Sequence, residues 1–119
     1  MRILIVDDSN EIRKRLVKLL AIFSERLSVR QAVDAEAALS EVKQFDPDVV
    51  ILDIKLSKGS GLDVLSKIKK GAAKRLVIML TNYASEQFRN ECLSKGADFF
   101  FDKSSEFERV VDVIKNVMS

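Results

Sequence analysis

Histidine and tryptophan do not occur in this sequence; cysteine, proline and tyrosine occur once each, and glycine four times. The lack of histidine removes Ser-His and Cys-His nucleophile pairs and most zinc sites. The single cysteine, Cys92, closes no internal disulfide, reads as a small apolar filler on a helix, and fits a reducing, cytoplasmic setting. Neither sign of charge dominates: 20 Lys and Arg oppose 18 Asp and Glu, for a net +2. Bulk electrostatics therefore gives no reason to expect nucleic acid or an anionic membrane as a partner. No apolar stretch approaches the roughly 20 residues that span a bilayer. The N-terminal run is too short for a signal peptide and meets Asp7-Asp8 at once. The chain also lacks internal repeats, low-complexity tracts and linkers. Its 119 residues suit one domain, 1–119, which at this size buries roughly two-thirds of its unfolded surface.

What the sequence does have is a series of apolar runs that each end in a polar group. Ile3-Leu4-Ile5-Val6 ends in Asp7-Asp8, and Val49-Val50-Ile51-Leu52 ends in Asp53. A run ending at Leu80 is closed by Thr81, and an aromatic triplet, Phe99-Phe100-Phe101, leads to Lys103. The runs read as strands over 2–6, 28–33, 49–52, 76–80 and 97–101. Between them apolar residues recur at helical spacing over 10–23, 34–45, 62–69, 84–94 and 106–118. Ser9 or Asn10 caps the first helix and Asp34 the second; Asp46-Pro47-Asp48 breaks the second. Gly59-Ser60-Gly61 is a turn, and Gly96 suits a left-handed cap. Val49–Leu52, apolar on both faces, reads as a central parallel strand. Five strands alternating with five helices predict an α/β fold, a doubly wound parallel sheet with helices on both faces. Ligands of such sheets sit beyond the carboxyl ends of the strands, where Asp7, Asp8, Asp53, Thr81 and Lys103 all fall.

Three clustered carboxylates repel one another by about 4 kcal/mol per pair at ~4 Å and an effective dielectric near 20. Lys103 offers one compensating charge, which leaves a deficit. An all-oxygen, histidine-free site favours a hard divalent ion, most naturally Mg²⁺, which keeps waters and accepts phosphate oxygens. A carboxylate can itself be the nucleophile, giving an aspartyl phosphate. Asp53 stands alone on the central strand and is the better candidate, while Asp7 and Asp8 form a natural metal pair. Mg²⁺, Lys103 and the Thr81 hydroxyl would meet the equatorial oxygens of the entering group. Taken singly, each residue has a plainer reading as cap, turn residue or solvated lysine. Four strands ending in matched polar groups at one sheet edge are hard to obtain from capping alone.

With Asp7-Asp8, Ile51-Leu52-Asp53 followed by Gly61, Leu80-Thr81, and Gly96-Ala97 through Lys103 in this order, the chain resembles the receiver domains of two-component response regulators over essentially its whole length. The resemblance implies a flavodoxin-like (βα)₅ sheet with strand order 2-1-3-4-5. It implies that Asp53 accepts a phosphoryl group from a phosphohistidine on a sensor histidine kinase or phosphotransfer protein. It further implies that Asp8 and Asp53 bind Mg²⁺ with the backbone carbonyl of Lys55, Asp7 acting partly through water. Thr81 and Lys103 would hold phosphoryl oxygens, Thr81 would move toward the phosphate, and Phe100 would turn inward behind it. The surface of the fourth helix, fifth strand and fifth helix would change and be read by a partner protein.

Four positions depart from the family pattern. Ser57 and Ser104 replace common prolines, Asn82 stands where Ala or Gly is usual, and Lys55 places an ammonium near the phosphoryl position. Asn82 would narrow access to the site. Lys55 would pair with the acidic groups, take over part of the metal's charge, or stand as a solvated loop lysine. For Lys103-Ser104, trans is expected because a non-proline cis bond costs about 2.5–4 kcal/mol. A haloacid-dehalogenase-type phosphatase, which wants a second Asp where Lys55 stands, is disfavoured. So is a flavodoxin-like cofactor binder, because the first loop is acidic. A receiver-like module that signals without phosphorylation stays open through Ser57, Asn82 and Ser104. The chain is expected to be no enzyme beyond self-phosphorylation and slow autodephosphorylation. Nothing basic and helical follows the last helix, so direct DNA output is not expected; homodimerisation through the fourth and fifth helices stays open.

Overall fold

The computed structural model describes residues 1–119. In chain order the elements are β1 (Arg2–Val6), α1 (Asn10–Leu20), a 3₁₀ segment (Ala21–Arg26), β2 (Ser28–Ala32), α2 (Ala35–Phe45) and β3 (Val49–Leu52), followed by α3 (Gly61–Lys70), β4 (Leu76–Thr81), α4 (Glu86–Ser94), β5 (Phe99–Asp102) and α5 (Arg109–Met118). All strand pairs are parallel, in the order β2-β1-β3-β4-β5, so the doubly wound arrangement read from the alternation of elements is the one formed.

Strand side chains alternate between two apolar layers. Leu4, Val6, Val50, Leu52, Val77, Met79 and Phe100 pack with Ala38 of α2, Val64, Leu65 and Ile68 of α3 and Cys92 of α4. Ile3, Ile5, Val49, Ile51, Ile78, Leu80 and Phe101 pack with Leu16 and Leu20 of α1 and Val110, Val113 and Ile114 of α5. β1 and β3 are buried on both faces, as their unbroken apolar runs require. Each fully buried aliphatic side chain contributes about 1.5–3 kcal/mol. β2 is an edge strand and buries only Ala32, which is why its sequence is the least apolar of the five.

Ser9, Asp34, Ser60 and Ser85 each cap a helix by accepting a backbone N–H. Gly96 takes a left-handed φ of 102° after α4. Several boundaries differ from the sequence-based expectation. α1 stops at Leu20 because Phe23 leaves helical geometry, although its ring still packs on the α1–α5 layer; the apolar period outlasts the helix. α4 begins two residues later than expected because Ser85 is its cap. β5 begins at Phe99 because the Ala97 N–H is used by the Cys92 carbonyl to close α4. β4 extends through Thr81. α5 begins at Arg109 because Glu106 is held in the preceding turn, its N–H on the Asp102 carbonyl and its carboxylate on the Asp102 N–H.

Candidate functional site

Backbone bonds carry the sheet one residue past three of its strands. The Asp7 N–H reaches the Ala32 carbonyl, the Asp53 N–H the Val6 carbonyl, and the Lys103 N–H the Thr81 carbonyl. The β1–β3 register, Ile3 with Val49 and Ile5 with Ile51, sets Asp7 beside Asp53 with the same side-chain parity. Asp7 and Asp53 are therefore buried polar ends of apolar strands, 3% and 5% exposed.

Lys103 reaches both. Its Nζ lies 2.7 Å from Asp7 Oδ2 and donates to Asp53 Oδ2 at 2.7 Å. The remaining carboxylate oxygens take backbone donors: Asp7 Oδ1 from the Ser9 N–H at 2.9 Å and Asp53 Oδ1 from the Ile54 N–H at 2.7 Å. These N–H donors reach both oxygens of each carboxylate and fix their orientation. Burial raises the Asp7 pKa above its ordinary value, against the lowering effects of Lys103 and Ser9. For Lys103, burial works to lower the pKa, but hydrogen bonds and charge from Asp53 and Asp7 outweigh it and hold the ammonium above its usual value. Asp8 is exposed and joins from the side: Asp7, Asp8 and Asp53 each offer an oxygen within 4.8 Å of the others.

Three carboxylates against one ammonium leave two negative charges at a partly buried site. Hard oxygen donors in that arrangement fit Mg²⁺. Asp7, Asp8 and Asp53 are the side chains placed to hold it. Lys55, which the resemblance adds through its carbonyl, has its backbone fixed by an isolated bridge to Ser60. Its ammonium does not pair with the acidic groups; it lies 4.3 Å from the centre of the Tyr83 ring, a cation–π contact between the loops that follow β3 and β4.

Gly61 explains its place in the motif. A Cβ there would overlap the Asp53 carbonyl oxygen, so only glycine lets α3 start against the strand end that carries Asp53. The same loop is tied to α2: the Ala35 N–H donates to the Lys58 carbonyl at 3.0 Å. Gly59, with φ of 82°, leaves no room for a Cβ against Ala35. These contacts hold the loop that carries Ser57 in place of proline.

Thr81 is fully buried. Its Oγ1 accepts the Tyr83 N–H at 3.1 Å, and among the described residues no hydrogen bond joins the Thr81 hydroxyl to Asp53 or Lys103. Phe100 is turned inward, 4% exposed, on the α2–α4 layer beside its register partner Met79. Arg89 of α4 donates to the Phe100 carbonyl at 3.3 Å. Asn82 is exposed and lines a groove of about 330 Å³ with Tyr83, Ser85, Phe88 and Asp102; neither Asp53 nor Lys103 lines it. The Lys103-Ser104 bond is trans. The turn is held instead by Asp102, whose Oδ1 accepts the Ser104 N–H at 2.8 Å and the Ser104 hydroxyl at 2.6 Å.

Sequence reasoning missed Arg13, one turn into α1, whose guanidinium holds the Asp7 carbonyl. It also missed Tyr83 as the partner of Lys55. A basic residue one turn after an acidic pair was the available signal for the first; the second depends on two loops meeting.

A family model described as response regulator receiver domain matches residues 3–115. The chemotaxis protein CheY of Halobacterium salinarum is 29% identical over 119 residues, 99% of this chain and 97% of that protein. The oxygen regulatory protein NreC of Staphylococcus carnosus is 30% identical over 118 residues, but these are 98% of this chain and 54% of NreC. The chain spans a little over half the length of several such regulators, including YvfU of Bacillus subtilis at 58%. Among solved structures, the receiver domain of NtrX from Brucella abortus superposes with a TM-score of 0.83 at 30% identity, covering 96% of this chain and 95% of that one. The receiver domain of a DNA-binding regulator from Colwellia psychrerythraea reaches 0.92 at 24% identity over 99% and 98%, a likeness of fold. No helix is long and apolar enough to cross a membrane among the described residues.

Proposed function

The chain belongs to the response regulator receiver domain family, and from that premise we propose that it is a phosphorylatable switch of a two-component system with Asp53 as the phosphoacceptor. The observation that carries this reading is the Asp7–Lys103–Asp53 bridge, with both Nζ to Oδ2 distances at 2.7 Å. It places a fixed cation beside the one carboxylate that ends the central strand.

A carboxylate oxygen of Asp53 bonds to phosphorus as the P–N bond of a phosphohistidine breaks, and the imidazole leaves carrying a proton. The donor is a sensor histidine kinase or a phosphotransfer protein. Asp7, Asp8, Asp53 and the Lys55 carbonyl would hold Mg²⁺, which when bound would neutralise charge on the incoming phosphoryl oxygens. Lys103 keeps its ammonium at the acceptor and moves from the carboxylate to a phosphoryl oxygen once Asp53 is phosphorylated. Thr81 gives up the Tyr83 N–H and turns its hydroxyl toward the phosphoryl group. Transfer rests on positioning and electrostatic stabilisation, so the chain catalyses nothing beyond its own phosphorylation and slow dephosphorylation.

The output lies on the α4–β5–α5 face. Thr81 and Phe100 share side-chain parity on adjacent strands, and Arg89 ties α4 to Phe100, so a shift of Thr81 is felt by α4. Tyr83, Leu93 and Phe99 are exposed there, apolar surface suited to a protein effector or to a second copy through α4 and α5, not to direct nucleic-acid contact. Acetyl phosphate with Mg²⁺ tests the reading: one acid-stable, base-labile phosphoryl mass is expected on the wild type. An adduct that survives undiminished in Asp53→Asn contradicts it.

A further inference from the structure

The Arg13 guanidinium ties the loop that carries the acidic pair to β2 and to the first residue of α1. Nη1 donates to the Asp7 carbonyl at 2.8 Å, Nε to Gln31 Oε1 at 3.0 Å, and Nη2 to Asn10 Oδ1 at 3.2 Å. Gln31 lies on β2 opposite Ile5, so the side chain bridges the edge strand to the end of β1. The Asp7-Asp8-Ser9 turn is then pinned from three directions. The Asp7 N–H is on Ala32, Asp7 Oδ1 on the Ser9 N–H, and the Asp7 carbonyl on Arg13. Asp8 makes no ion pair among the described residues; its position relative to Asp7 and Asp53 is set by the backbone of this turn alone.

We propose that Arg13 is a positioning residue for divalent-cation binding: its forked guanidinium fixes the turn that presents Asp8 beside Asp7 and Asp53. The proposal rests on the metal site described above. It has an unusual property, because charge and geometry act in opposite directions. A guanidinium near three carboxylates repels an incoming cation, so if Arg13 acts only as a charge, its removal tightens Mg²⁺ binding. If it holds the turn, removal weakens Mg²⁺ binding, since outer-shell partners of ligating groups typically support 10–100-fold of affinity. Lysine keeps the charge but cannot span three acceptors in a plane.

The test is calorimetric titration of MgCl₂ into unphosphorylated wild type, Arg13→Met, Arg13→Lys and Gln31→Ala, with circular dichroism confirming the fold. Expected are about tenfold weaker binding for both Arg13 variants and an intermediate loss for Gln31→Ala, on the same scale. At saturating Mg²⁺, phosphorylation by acetyl phosphate should return close to the wild-type rate, a separation that general unfolding would not give. Unchanged or tighter binding in Arg13→Met, beside a wild type that binds, overturns the role of Arg13. A wild type that binds no Mg²⁺ overturns the metal site itself and this proposal with it. Gln31→Ala, which leaves the charge and the helix intact, decides the matter should an Arg13 variant not fold.

Discussion

Asp7 and Lys103 sit on opposite sides of a stability balance that pH exposes. The folded Asp7 pKa is raised above the usual 3.8. Its protonated form is the one the fold favours, a contribution complete below 3.8 and lost as pH rises through the folded value. At neutral pH the ionised carboxylate is thus a burden without a divalent cation. Asp7→Asn should raise the melting temperature at pH 7 in chelator, show no gain below about pH 3.8, and bind Mg²⁺ more weakly. Lys103 is also raised, from 10.5; its pairing is complete below 10.5 and lost as pH climbs through the folded value. Lys103→Met leaves Asp7 and Asp53 facing each other without a cation. It should destabilise by about 3 kcal/mol in denaturant titrations, the scale for breaking a buried pair, with part of the loss recovered by Mg²⁺. These roles were legible as residue types at strand ends. The bridging of two carboxylates by one ammonium was not, because it follows from register.

At the scale of elements, the turn between β5 and α5 gives the sharpest prediction. The family resemblance suggests proline after Lys103, yet Ser104 donates both its N–H and its hydroxyl to Asp102. These bonds, hydroxyl first, hold the Asp102 carboxyl below its usual pKa. Ser104→Pro removes both donors and should lower the melting temperature and slow phosphorylation at Asp53 by displacing Lys103; a gain in either would contradict this account of the turn. Gly61→Ala should be severe for the reason its Cβ would meet the Asp53 carbonyl: thermal melts should show a large loss, and acetyl phosphate little adduct. Element identity was readable from period and caps. Boundaries failed where one group served two neighbours, as the Ala97 N–H closes α4 just before β5 and Glu106 closes the turn before α5. Local sequence does not say which neighbour wins.

Across the whole molecule, the two faces of the sheet divide the labour. Asp7, Asp53 and Lys103 share the parity of the α1–α5 layer, whereas Thr81 and Phe100 belong to the layer covered by α2, α3 and α4. On the proposed function, chemistry on one side is passed to the other through β4 and β5. Amide spectra recorded with and without a phosphate mimic should therefore move most around Thr81–Arg89 and Phe99–Lys103 and least in the Ala21–Arg26 segment, which lies beside the start of β1 at the opposite edge of the sheet. The sheet order and the site edge could be read from the alternation of runs. The inward Phe100 and the Lys55–Tyr83 contact could not, since both depend on how α4 and its loop settle on the finished sheet. Everything else in the functional account depends on Asp53 carrying the phosphoryl group. Borohydride reduction of the acetyl-phosphate-treated protein, followed by peptide mass spectrometry, locates an acyl phosphate by converting its aspartate to homoserine. Homoserine is expected at position 53 and nowhere else; conversion at Asp7 or Asp8, or none with the protein folded and Mg²⁺ bound, would contradict the role of Asp53 as phosphoacceptor.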